Sequence, residues 1–247
     1  MTACSSSTIA IGLAGDAIRT GAADLVVAGG SDALCRLTFG GFCSLRAVDP
    51  DRCRPFDRGR KGMTLGESAA ILVLEEMEHA KRRGARIHAE LLGYGMACDA
   101  HHVTAPDPSG DGAARTMREA LEDACVAASD IEYISAHGTA TPFNDEAETR
   151  AIHAVFGARA PEIPVSGVKS MLGHCLGAAG AVEALALVLS VREGILLPTI
   201  GLEDPDPECD LDYVPKVARR RQIMTALSNS FAFGGNNGAI VIGRFEG

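Results

Sequence analysis

Short apolar segments alternate along this chain with stretches of helical periodicity. The apolar segments cover residues 24–30, 68–74, 89–95, 131–136, 164–169, 223–228 and 238–244. Helical spacing of apolar residues runs through 5–20, 75–83, 111–128, 144–156 and 177–193. Strands that alternate with helices predict α/β layers, with mostly parallel strand pairing. Residues 36–66 show no periodicity, and such a long irregular stretch is usually functional or packed on a partner.

Composition excludes several classes of protein. The chain has 247 residues, 47% of them hydrophobic. Because its net charge is −9, non-specific binding to nucleic-acid phosphates is not expected. It has no apolar run of membrane-spanning length and no signal-peptide pattern, which predicts a protein without membrane contact. Its eight cysteines lack CxxC spacing, which indicates a reducing, cytoplasmic location and no zinc or other metal site.

Three segments hold groups that suit thioester chemistry. Cys4 stands where a helical pattern begins, and a helix N-terminus favours thiolate over thiol. His137 lies in the turn His-Gly-Thr-Ala-Thr, and Lys169 and His174 lie in Lys-Ser-Met-Leu-Gly-His. Taken singly, a cysteine before a helix is usually structural, and histidines in turns often only bridge loops. The set of one thiol, two imidazoles and one amine is what indicates a function.

Four ordered motifs together resemble the signature blocks of the β-ketoacyl-acyl carrier protein synthases. They are Thr-Ala-Cys-Ser-Ser-Ser at 2–7, His-Gly-Thr-Ala-Thr-Pro at 137–142, Val-Lys-Ser-Met-Leu-Gly-His at 168–174 and Asn-Ser-Phe-Ala-Phe-Gly-Gly-Asn-Asn at 229–237. The resemblance implies a thiolase-like layered αβαβα fold. Family members have a long segment before the cysteine, so the chain is expected to lack the opening part of the first half. Residues 1–87 would be the remainder of that half, and residues 88–247 the C-terminal half.

The resemblance also implies roles for individual residues. Cys4 would be the nucleophile that carries the acyl group, and His137 and His174 would stabilise the enolate formed when a malonyl thioester loses CO2. The amides of Cys4 and Phe233 would hold the oxyanion, and the Phe233 ring would be a gate. Lys169 would orient its neighbours.

Further positions are expected to support or contact substrate. Thr139 and Thr141 match positions that bind a pantetheine arm, and Phe231, Gly234 and Gly235 are expected beside the substrate. Glu183 would help Lys169. Asp145 and Glu148 either cap a helix or support the site.

The chain departs from the family pattern at four positions. Ala232 and Asn236 replace a usual glycine and threonine, and Ser68 and Ala70 replace expected glycines. The added bulk at Ala232 is expected to stiffen the gate or change the acyl chain admitted.

Three functions remain open. The first is a condensing acyltransferase that uses no tightly bound cofactor, its substrates being carried on the phosphopantetheine arm of acyl carrier protein. The second is an inactive fragment, or one subunit of a split enzyme that needs a partner chain for the missing half. The third, a degradative thiolase, is disfavoured by the residues around the histidines.

Two partners are expected. The resemblance implies a homodimer for the full-length family. The basic residues of the long loop either dock an acidic carrier protein or form a solvated loop; they are Arg52, Arg54, Arg58, Arg60 and Lys61.

Overall fold

Sixteen helices and strands form the chain, which a computed structural model describes over residues 1–247. The helices are α1 (Ser6–Arg19), α2 (Arg36–Ser44), α3 (Met77–Arg82), α4 (Asp111–Asp123), α5 (Pro142–Phe156), α6 (Lys169–Leu172) and α7 (Ala179–Glu193). The strands are β1 (Leu25–Asp32), β2 (Ser68–Glu75), β3 (Glu90–Cys98), β4 (Tyr133–Ser135), β5 (Val165–Ser166), β6 (Ile195–Leu196), β7 (Arg219–Arg220), β8 (Thr225–Ser230) and β9 (Asn236–Gly243).

The elements stack in layers. The strands β3-β9-β8-β4-β5 form one sheet, and β1 and β2 form a second. Helices α1 and α7 lie between the two sheets and contact both, while α4 and α5 cover the far face of the larger one. The larger cluster of buried apolar side chains lies under α4 and α5, and the second lies around α7. The layered α/β fold predicted from the sequence is confirmed, as a part of the thiolase-like arrangement.

The expectation of mostly parallel pairing is wrong. Only β4 pairs in parallel, with β5 and with β8. β3–β9, β8–β9, β1–β2 and β6–β7 are all antiparallel. Five residues join β8 to β9, too few for the crossover that parallel neighbours require, so this connection must reverse the chain.

Several boundaries also differ from the prediction. Helix α2 lies inside the stretch expected to be irregular, and none of its residues is buried, which is why no apolar stripe indicated it. Helix α4 ends at Asp123 rather than residue 128, and Lys169 begins a short helix instead of ending a strand.

The outer face of the smaller sheet is apolar and open. Leu25, Val27, Ile71 and Val73 point away from α1 and α7, and the last three are 60–61% exposed. Both strands of this sheet also have an unpaired edge. None of the helices combines the length and apolar composition needed to cross a bilayer.

Candidate active site

One cavity collects most of the predicted reactive residues. It has a volume of about 200 Å³, and its walls include Cys4, His137, His174, Phe231 and Phe233. Thr139 and Thr141 also line it. The contributing segments come from the start, the middle and the end of the chain, so the cavity exists only when the layers are assembled.

Cys4 lies in a 3₁₀ turn that runs directly into α1. The turn covers Ala3–Ser5, and the side chain of Cys4 is buried. Ala3 has a φ of 49°, a left-handed conformation that is uncommon outside glycine and marks local strain beside the sulfur. The Ser5 hydroxyl donates to the Asn236 carbonyl at 2.8 Å, which joins this turn to the strand after Phe233.

The electrostatics of Cys4 oppose the predicted thiolate. Burial raises the pKa of Cys4 to about 11, although the Lys169 charge and hydrogen bonds from the backbone N–H groups of Phe233 and Cys4 lower it. The loss of hydration therefore outweighs the helix N-terminus. Phe233, whose amide is expected to hold an oxyanion, thus lies near enough to influence this sulfur.

His137 is held from behind by Lys169. The Lys169 Nζ lies 3.2 Å from Nδ1 of His137 and donates to its carbonyl oxygen at 2.6 Å. Since an ammonium only donates, Nδ1 must be the acceptor, which places the ring proton on Nε2. Burial and the Lys169 charge hold the pKa of His137 well below its usual value, so the ring is neutral.

His174 has the same tautomer for a different reason. The backbone N–H of Leu176 donates to its Nδ1 at 3.2 Å, which again leaves the proton on Nε2. Burial, with Lys169 second, holds the pKa of His174 well below its usual value. The two imidazole rings lie 5.4 Å apart between centroids, nearly perpendicular. The site thus has two neutral rings, each with an Nε2–H donor.

The strand register places His174. Leu65 and His174 form a parallel bridge, with the His174 N–H donating to the Thr64 carbonyl at 2.7 Å. Gly66 makes this approach possible, because a Cβ there would lie 2.4 Å from the Leu172 oxygen.

Lys169 pairs with Glu183 of α7 in the protein interior. Their side chains are 2% and 3% exposed, and Nζ donates to the Glu183 carboxylate. Burial raises the pKa of Glu183 to about 7, while Lys169 limits the rise. The predicted support of Lys169 by Glu183 is therefore a direct contact.

Two buried carboxylates of α5 fix the His137 loop. Glu148 accepts the N–H groups of His137 and Gly138 at 2.8 and 2.9 Å. Asp145 accepts those of Ala140 and Phe56 at 3.1 and 2.8 Å.

The helix cap itself is another residue, Thr141, whose hydroxyl accepts the Asn144 N–H. Asp145 and Glu148 were both expected either to cap the helix or to support the site. The backbone N–H groups that they accept belong to the site loops, which favours the supporting role for both.

The glycine turn after β8 carries Phe233. The Phe233 ring lies 5.6 Å from that of Phe42 in α2, and the Phe231 ring lies 5.8 Å from His137. Gly234 and Gly235 have φ values of 80° and 71°, but they contact the loop around Asp99 and Val103 and do not line the cavity. Ala232 has an ordinary extended backbone, so the turn accommodates its methyl group without strain.

The sequence did not indicate several lining residues. Phe42, Arg46 and Met63 lie in the long stretch without periodicity or a chemical motif.

Comparison with known proteins identifies the family. The protein-family model described as "Beta-ketoacyl synthase, N-terminal domain" matches residues 1–80, and "Beta-ketoacyl synthase, C-terminal domain" matches residues 88–203. The chain belongs to the beta-ketoacyl synthase family. Within it, the chain is 48% identical over 251 residues to a 3-oxoacyl-[acyl-carrier-protein] synthase 2 of Coxiella burnetii, covering 99% of this chain and 61% of that protein. For the Rhizobium meliloti protein of the same name the identity is 47%, covering 100% and 60%.

Solved structures of beta-ketoacyl synthases superimpose closely. "The ishigamide ketosynthase/chain length factor" gives a TM-score of 0.96 at 47% identity, covering 100% of this chain and 60% of that one. "AntDE:AntF (apo): type II PKS acyl-carrier protein in complex with its ketosynthase bound to the hexaketide" gives 0.97 at 42%, covering 99% and 62%. The chain spans about three fifths of the length of these relatives.

Proposed function

We propose that this chain provides the reaction centre of a β-ketoacyl-acyl carrier protein synthase, an acyltransferase that joins an acyl-cysteine to malonyl-acyl carrier protein by decarboxylative condensation. One observation carries the proposal: a single cavity holds the Cys4 sulfur, two imidazole Nε2–H donors and the Phe233 amide. Relatives named 3-oxoacyl-[acyl-carrier-protein] synthase 2 support it. The product belongs to fatty-acid or polyketide-like chain elongation.

In the first step Cys4 takes the acyl group. Its Sγ bonds to the acyl carbon, the bond from that carbon to the pantetheine sulfur breaks, and the Cys4 proton passes to the departing sulfur. One thioester replaces another, so the acyl group stays activated. Proton transfer within the exchange suits a thiol whose pKa is about 11, because little thiolate exists beforehand.

In the second step a malonyl thioester loses CO2, and its electron pair remains as an enolate. The Nε2–H groups of His137 and His174 donate to the enolate oxygen, and because the rings are neutral they do so without protonating carbon prematurely. The carbanion then bonds to the acyl carbon while the N–H groups of Cys4 and Phe233 hold the oxyanion. The C–S bond to Cys4 breaks, and the thiolate takes a proton from solvent.

The substrates are proposed to arrive on the phosphopantetheine arm of acyl carrier protein, with no tightly bound cofactor. Thr139 and Thr141 lie in the cavity wall with their hydroxyls 2.9 Å apart, within reach of an amide-bearing arm. A solved relative described as an acyl-carrier protein in complex with its ketosynthase supports the choice of partner.

The test is transfer of a labelled acyl group from acyl carrier protein to the intact chain. Label is expected on Cys4 and absent from Cys4→Ala, while Cys35→Ala, which removes an exposed thiol outside the cavity, keeps it. Peptide mapping locates the label. Labelling that is equal in wild type and Cys4→Ala rejects the proposal.

A second proposal concerns the open face of the smaller sheet. We infer that the reaction needs an additional polypeptide segment that covers Val27, Ile71 and Val73. This segment would correspond to the part of the relatives that this chain does not match, and it could belong to a separate chain or to the same one. An exposed apolar sheet face with unpaired edges favours association. The proposed homodimer of the full-length family would be built on such an assembly.

Light scattering and binding of a hydrophobic dye test this inference. Wild type is expected to bind dye or self-associate, and Val27→Lys/Val73→Glu to do so much less. A dye-negative wild-type monomer with full condensing activity contradicts it.

A further inference from the structure

The charges of the long loop are distributed unevenly. Arg52, Arg54 and Arg58 pair with Glu203, Asp49 and Asp204 at 3.0, 3.2 and 3.6 Å. Arg60 is buried among three carboxylates; they are Asp145, Glu146 and Asp206. Four of the five basic residues expected to dock a carrier protein are therefore neutralised within the chain.

Three cations between residues 36 and 66 have no acidic partner within 4.0 Å, namely Arg36, Arg46 and Lys61. Of these, Arg46 and Lys61 line the cavity. An ion pair between exposed groups satisfies both charges, so cations left free at a concave surface are the ones available to a ligand.

The backbone places these two cations side by side. Val48 and Met63 form a parallel bridge, and the Met63 N–H donates to the Ala47 carbonyl at 2.8 Å. A Cβ at Gly62 would lie 2.4 Å from the Ala47 oxygen, so the two segments are also in contact one residue before the bridge. Arg46 and Lys61 are the next residues back on each segment, and both line the cavity.

One carboxylate lines the same cavity, that of Asp99, and both of its oxygens accept hydrogen bonds from within the chain. Asp99 accepts the Asn237 side-chain amide at 2.6 Å through one oxygen and the Asp107 N–H at 3.1 Å through the other. The charged residues of the cavity wall are thus two cations without an ion-pair partner and one carboxylate, a net charge of +1 in a chain whose net charge is −9.

We propose that Arg46 and Lys61 bind the phosphate at the outer end of the pantetheine arm, so that the chain discriminates phosphorylated from unphosphorylated arms. This inference rests on the proposed function. The thioester end must reach Cys4, and Thr139 and Thr141 lie in the same wall, so the charged end of the arm falls at the rim. Arginine and lysine together suit a phosphate, one through a planar fork and one as a point charge.

The test compares two ligands that differ only in the phosphate, phosphopantetheine and pantetheine, by calorimetric titration of the intact chain. Wild type is expected to favour phosphopantetheine by about tenfold or more, and Lys61→Gln and Arg46→Gln each to reduce that ratio roughly fivefold. Arg52→Gln, which removes a cation paired with Glu203, is the matched control and keeps the ratio.

Two further measurements separate the possible outcomes. Titration with inorganic phosphate shows whether phosphate alone binds to the site. If it does, phosphate competes with phosphopantetheine in wild type but not in the double variant Arg46→Gln/Lys61→Gln. Any one of three results overturns the inference. Wild type binds phosphopantetheine and pantetheine equally, wild type binds neither ligand, or the double variant keeps the wild-type preference. If Cys4-dependent acylation persists, the proposed function survives that failure; if acylation is absent with every donor, the proposed function fails itself.

Discussion

The Lys169 Nζ lies 3.2 Å from Nδ1 of His137 while it pairs with Glu183 on its other side. One buried ammonium thus fixes the tautomer of a ring that points into the cavity and neutralises a carboxylate behind it. Neither contact exposes the lysine to substrate, so its proposed role is to position His137 and set the field at Cys4.

Removing that ammonium should make stability depend on pH. In Lys169→Met the Glu183 carboxyl loses the group that lowers its pKa, which already stands near 7, so the pKa rises further. A group with a raised folded pKa contributes stability that is present below its unfolded pKa and is lost as pH rises through the folded value. The free energy of unfolding of Lys169→Met should therefore fall as pH rises from about 4.5, the ordinary glutamate pKa, to beyond pH 7, by up to about 1.4 kcal/mol per pH unit.

Urea unfolding at several pH values measures this effect. The double variant Lys169→Met/Glu183→Gln has no titrating carboxyl there and should lose the added dependence. If the single and double variants show identical pH profiles, the ion pair does not control Glu183.

The alkylation of Cys4 should rise with pH without an early plateau. Because burial raises its pKa to about 11, its thiolate fraction grows about tenfold per pH unit from pH 7 to pH 10. Cys35 is the internal reference, since hydrogen bonds from Thr38 hold its pKa below the usual value and its labelling should level off sooner. Iodoacetamide labelling with peptide mapping follows both thiols in one sample. A Cys4 profile that levels off below pH 8 would show a stabilised thiolate instead.

Glu148→Gln should destabilise the His137 loop. The carboxylate accepts N–H groups from His137, Gly138 and the Asn229 side chain, and a glutamine amide has one oxygen to accept them and a nitrogen that cannot. Unsatisfied buried donors cost about 1–3 kcal/mol. Chemical denaturation measures the loss. Glu122→Gln, on the exposed face of α4, is the control and should change stability by less than about 0.5 kcal/mol.

Gly66→Ala should disturb His174 through the backbone. The added Cβ would lie 2.4 Å from the Leu172 oxygen, so the bridge between Leu65 and His174 must shift. Overpacking of this kind costs about 1–3 kcal/mol, and slower condensation should accompany it.

Gly40→Ala in α2, where nothing lies within 4 Å, should instead stabilise by about 0.5–1 kcal/mol. Thermal unfolding and condensation rates compare the two variants. Equal effects at both sites would mean that the contact at Gly66 is not tight.

The sequence predicted the elements that have a strong period and several residues that line the cavity. Helix α1 and strand β1 were expected within two residues of their observed ends, because apolar spacing and flanking glycines define them. The reactive set was found because four motifs occur in order. The proposed roles of those residues remain predictions, as does the division at residue 87.

What the sequence did not predict depends on three-dimensional surroundings. The pKa of Cys4 is set by desolvation from segments more than a hundred residues away, so its helix-start position gave the wrong direction. Helix α2 buries nothing and left no stripe. The acidic partners of Arg52 and Arg58 are Glu203 and Asp204, about 150 residues further along the chain, and only the fold shows that these charges form ion pairs within the chain.

The hydrogen bonds that join the first turns to the last strands have a consequence for synthesis. Ser5 reaches the Asn236 carbonyl, and Thr8 and Ser230 share a hydrogen bond of 2.6 Å. Translation runs from the N-terminus, so Cys4 leaves the ribosome before β8 and β9 are made. Until those strands have emerged, the thiol lacks the walls that bury it, so its shielding arises in one late event.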